Sequence, residues 1–144
     1  METMIQYSNR KRLESLEFVK GKIINTIDIH DNIVEIGFED ATILKMHNDY
    51  QCCECRYFLT DDDINYYNGA KVINIETRDT VYKDDVPCYE IDCYGLKNGC
   101  DHASSNGAEV QFLLITTNLG VITIQAYNKH NGYYAGINLE YEVK

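Results

Sequence analysis

The 144 residues predict an α+β fold: a mainly antiparallel, twisted sheet of about six to seven strands, with an N-terminal helix and one short helix. Segments with strand alternation outnumber those with helical spacing by about seven to two. The connections between strands are mostly too short for parallel crossovers. At the N-terminus, by contrast, Leu13, Leu16 and Val19 recur at the spacing of a helix face.

The elements follow in order. Ser8 or Asn9 can cap a helix over 9–20, with Leu13, Leu16, Phe18 and Val19 on one side and basic residues on the other, and Gly21 stops it. Residues 22–29 read as a strand. Those at 33–38 and 41–47 read as two more, joined by a turn at Glu39-Asp40. Val34, Ile36 and Phe38 share one face; Leu44 and Met46 share another, opposite Ile43, Lys45 and His47. After a strand at 54–60, Thr60-Asp61-Asp62-Asp63 is a helix-start signal, and Asn68-Gly69 ends the short helix it opens.

A strand at 71–78 leads into the irregular stretch 79–108, which holds Pro87, three cysteines and Ser104-Ser105-Asn106-Gly107, with a strand candidate at 88–94. We read 79–108 as an inserted loop or hairpin, long enough to suggest a functional surface. Strands at 110–117 and 121–127 flank Asn118-Leu119-Gly120, a hairpin signal. Asn131-Gly132 then turns into a last strand at 134–143, where Ile137, Leu139, Tyr141 and Val143 alternate with Asn138, Glu140 and Glu142. With no repeat and no linker, residues 1–144 are expected to form a single domain.

Charge narrows the partners. Thirteen Lys and Arg against 23 Asp and Glu give −10. Residues 1–22 carry +2, so the remaining 122 residues carry −12. A body of that sign repels phosphate and disfavours direct nucleic-acid binding, while it attracts basic proteins. No apolar run reaches the roughly 20 residues of a spanning helix. No basic-then-apolar leader opens the chain, so a soluble protein of the cytoplasm with reduced thiols is expected.

Two stretches carry a resemblance: His47-Asn48-Asp49-Tyr50-Gln51-Cys52-Cys53-Glu54, and Asn128-Lys129-His130-Asn131-Gly132-Tyr133-Tyr134. With the hairpin Thr117-Asn118-Leu119-Gly120-Val121-Ile122-Thr123-Ile124 between them, they resemble a small phage and bacterial domain family of unknown function over roughly 21–142. That family usually has tryptophans in its last two long strands; this chain has none, and Gln125-Ala126 stands where a basic residue and Trp are common. The resemblance implies phage or mobile-element origin and a host-cell location. It implies no activity.

The residues that could carry chemistry fall into three groups. His47, Cys52, Cys53 and Glu54 are ligand or nucleophile types, but strand alternation prevents Cys52, Cys53 and Cys55 from meeting on one metal without a bulge. A thiol enzyme would need His47 or His130 within reach of Cys52 or Cys53. Cys88, Cys93, Cys100 and His102 suit zinc by type, yet their spacing is not that of a knuckle, so no metal and no cofactor is expected. Asn128 to Tyr134 could stack and read a ring, or could be a plain turn whose tyrosines cover the sheet.

The binding candidates are therefore His47, Glu54, Arg56, Arg78, Asn128, His130, Asn131, Tyr133 and Tyr134. No phosphate loop, nucleophile elbow or His-Glu-x-x-His motif is present, which points away from an enzyme. The first expectation is a phage or mobile-element accessory protein, a counter-defence inhibitor that contacts a host nucleic-acid-binding protein through acidic and tyrosine-rich surface. The alternative is a small-molecule binder that sequesters a nucleotide signal, with Arg56 and Arg78 on phosphate and tyrosines on the base. A Cys/His-dependent enzyme is the third. Oligomer formation is left open.

Overall fold

The computed structural model describes residues 10–49, 54–83, 108–130 and 137–144. Within them run ten strands: Lys11–Arg12 (β1), Ser15–Leu16 (β2), Ile24–His30 (β3), Ile33–Phe38 (β4), Ile43–His47 (β5), Glu54–Leu59 (β6), Val72–Lys83 (β7), Ala108–Thr117 (β8), Gly120–His130 (β9) and Glu140–Val143 (β10). Every pairing is antiparallel. The strands form two sheets, ordered β1-β10-β5-β4-β3 and β2-β7-β8-β9-β6.

Alternation puts one apolar face of each sheet inward. Val34, Ile36, Leu44 and Met46 from the first sheet join Leu113, Ile115, Ile122 and Ile124 from the second in one buried cluster. The expected faces of β4 and β5 are the observed ones.

The α+β expectation is overturned: the regular structure of the described residues is nearly all antiparallel strand, with no α-helix. Residues 11–16 hold β1 and β2, in place of the expected helix at 9–20. β1 pairs with β10 in the first sheet and β2 with β7 in the second, so the segment changes sheets at Leu13. Leu13 N donates to Leu139 O at 2.8 Å, and Thr77 N donates to Glu14 O at 2.9 Å, one bond to each sheet. A corner-turning chain breaks the two-residue period. Leu13, Leu16 and Val19 all reach the core at intervals of three, and that interval is what imitates a helix face.

The second expected helix is a four-residue 3₁₀ turn, Ile64–Tyr67. Asp63 caps it, its carboxylate accepting from Asn65 N at 3.2 Å. Thr60 does not cap it. Its hydroxyl accepts from Asp62 N at 3.1 Å and donates to Thr123 O at 2.7 Å, which ties the turn to β9.

The stretch expected to be irregular is strand at both ends. Thr80, Val81, Tyr82 and Lys83 pair with Gln111, Val110, Glu109 and Ala108, extending the β7–β8 ladder. Residues 84–107, including the strand candidate at 88–94, lie outside the described residues. Of the last expected strand, Glu140–Val143 is observed.

Three turns fix the registers. Asp31-Asn32 joins β3 to β4 with Asp31 at φ 44°, which Asp tolerates. Between β4 and β5, Asp40 accepts from Thr42 N at 3.0 Å while Ala41 sits at φ 70°. Asn118-Leu119 joins β8 to β9, closed by Thr117 Oγ1 donating to Gly120 O at 2.8 Å. Gly120 has φ 136°, a conformation open to glycine.

Candidate functional site

The first of the two motif stretches opens at the end of β5. His47 continues the outward set of Ile43 and Lys45, and Asn48 continues the inward set of Leu44 and Met46. Two adjacent residues thus serve opposite faces of the first sheet.

Asn48 is fully buried. Its Nδ2 donates to Tyr127 O at 3.0 Å and to Tyr57 O at 3.3 Å. Tyr57 and Tyr127 are register partners on β6 and β9, so one side chain of the first sheet clasps two strands of the second. The Asn48 main-chain N–H donates to Asn32 O at 2.9 Å, which adds the β3–β4 turn to the junction. Behind the carbonyls, the rings of Tyr57 and Tyr127 stack with centroids 4.9 Å apart.

His47 lies on the outer face among charges. Arg10 reaches Asp49 at 2.5 Å, Glu140 at 3.6 Å and Glu142 at 3.9 Å. His47 Nε2 is 3.3 Å from Glu142, and Nδ1 is 3.9 Å from Asp49. Only 8 % of His47 is exposed. Burial, then the Arg10 guanidinium, pushes its pKa below the ordinary 6.5, against the opposing pull of Asp49 and Glu142.

The other candidates divide. Arg56 stands opposite Asn128, and Glu54 opposite His130, two rows apart in the β6–β9 ladder. Arg56 is 7 % exposed and Asn128 fully buried, so this pair belongs to the inner face of the second sheet, in line with Phe58 and Ala126. Arg78 is opposite Phe112, in the row of Gln125 and Leu59, which is the outer face. It is exposed and pairs with Glu76 at 3.0 Å. Arg56 and Arg78 therefore leave opposite faces of the sheet and do not converge on one phosphate. Asn131, Tyr133, Tyr134, Cys52, Cys53, Cys88, Cys93, Cys100 and His102 lie outside the described residues. Among the described residues no group of three or more His, Cys, Asp or Glu is arranged to hold a metal.

Two features escaped the sequence reading. Asn48 could have been found by extending the β5 alternation one residue, which places a polar side chain inward. The other is a groove of about 410 Å³ where β3 approaches β6. Ile29, Phe58, Leu59 and Ile64 make it apolar, and Asp31 and Asp62 line it as well. Asp31 and Asp62 are 31 residues apart, so no local pattern could join them.

Fold and site define a small antiparallel β-sandwich with a buried amide clasp between its sheets. Residues 17–138 match a domain of unknown function, DUF7448, and the chain belongs to that family. No curated protein and no solved structure matches the chain. Among the described residues no helix is long and apolar enough to cross a membrane.

Proposed function

We propose that the chain is a phage or mobile-element accessory protein of the host cytoplasm that acts by binding, a counter-defence inhibitor contacting a basic, nucleic-acid-binding host protein. The observation that carries this reading is where the charge sits. Residues 24–70 hold ten acidic side chains against two basic ones, Lys45 and Arg56. Arg56 is buried, whereas Asp28, Asp31, Glu39, Asp40, Asp61 and Asp63 are exposed. Carboxylates displayed on rigid strands and tight turns offer a basic groove the charge it normally takes from phosphates. Tyr66, 61 % exposed and edge-on to Tyr67, supplies an aromatic contact beside them.

Phage plating on bacteria that carry a nucleic-acid-targeting defence tests the reading. Expression of the chain should restore plaques, and expression of a variant with Asp28, Asp31, Asp61 and Asp63 changed to Lys should not. Equal plating with both proteins, or with neither, contradicts it.

A further inference from the structure

We infer that the groove between β3 and β6 receives a lysine or arginine side chain of a protein partner. This rests on the binding reading above and names the chemistry of its contact. β3 and β6 are the edge strands of their respective sheets. Among the described residues one backbone hydrogen bond ties β6 to the turn that follows β3, Phe58 N to Asp31 O at 2.6 Å. Beyond Phe58 the chain arches away through the 3₁₀ turn and returns to β3 at Gly69 and Ala70, whose backbones bond Ile24 at 2.7 and 2.8 Å. Leu59, Thr60, Asp62 and Ile64 of this arch line the groove.

The lining fits a long cationic side chain. Ile29, Phe58, Leu59 and Ile64 offer apolar surface to an aliphatic stem, and Asp31 and Asp62 offer carboxylates to its charged head. Asp62 is held in place because its Oδ2 accepts from Thr123 N at 2.8 Å, leaving Oδ1 for a ligand. Asp31 makes no side-chain hydrogen bond or ion pair with any described residue. Among the described residues no basic side chain lines the groove. An acidic segment would be repelled, and a neutral one would leave two carboxylates uncompensated at an apolar surface.

Methyl NMR of the full chain, titrated with a blocked arginine-containing peptide and with its citrulline counterpart, tests the inference. The methyl signals of Ile29, Leu59 and Ile64 should move with the arginine peptide and stay still with citrulline, which has the same shape without the charge. Asp31→Asn, which keeps a residue tolerant of positive φ, should weaken the arginine response by about threefold. Equal shifts with both peptides, or shifts elsewhere with these methyls unmoved, overturn the inference. Because the titration uses no host partner, its failure is separate from failure of the broader reading, which turns on plating and capture.

Discussion

The side-chain amide of Asn48, on the first sheet, donates to the main-chain carbonyl of Tyr127, on the second, at 3.0 Å in the buried interior. The same nitrogen reaches Tyr57 O. Asn48→Ala removes both bonds that tie the first sheet to β6 and β9. We expect a loss of about 2–4 kcal/mol in denaturant unfolding. Asn48→Asp should cost more, since it sets an acceptor against two carbonyl oxygens; a change within experimental error in either variant contradicts the clasp.

Ala41 sits at φ 70°, where its Cβ crowds the backbone. Ala41→Gly should therefore stabilise the protein by about 1 kcal/mol, read as a shift of the denaturation midpoint at constant slope. Destabilisation would show that the β4–β5 turn has another geometry.

Asp40 bonds Lys22 Nζ and Thr42, which lowers its pKa from 3.8 to about 2. A lowered carboxylate contributes stability above the unfolded value of 3.8 and loses it as pH falls towards 2. Carboxyl NMR should show the depressed midpoint, and Lys22→Met should move it back towards the ordinary value. An unmoved midpoint in Lys22→Met rules the lysine out as the main cause.

His47 titrates below its ordinary 6.5 through burial and Arg10. Between its folded and unfolded values the unfolded chain binds more protons, so acidification through that window costs stability. Arg10→Gln removes a repelling charge while Asp49 and Glu142 stay, and the His47 midpoint should rise in imidazole NMR. A fall would show that Arg10 acts through packing and not through charge.

Strand alternation made much of this legible. The inward sets of β4 and β5 and the β8–β9 hairpin follow from residue type and a period of two. The N-terminal segment misled because a chain crossing between sheets delivers Leu13, Leu16 and Val19 to the core at a helical interval. Thr60-Asp61-Asp62-Asp63 misled because Thr60 closes a local turn on Asp62 N and anchors it to Thr123 O, and Asp63 caps only one 3₁₀ turn. In the site, the row Glu54–His130 joins both motif stretches, which sequence suggested only as a shared list. The Asn48 clasp and the Asp31–Asp62 groove depend on contacts between distant segments, and strand order alone reveals them.

The most direct measurement is affinity capture from host lysate with the wild-type chain and with the variant changed to Lys at Asp28, Asp31, Asp61 and Asp63. Wild type should retain a basic, nucleic-acid-binding protein at low salt and release it at about 0.5 M salt, where exposed charges are screened; the variant should not retain it. Retention of the same protein by both, or of no basic protein by wild type at low salt, would contradict a function based on the acidic surface.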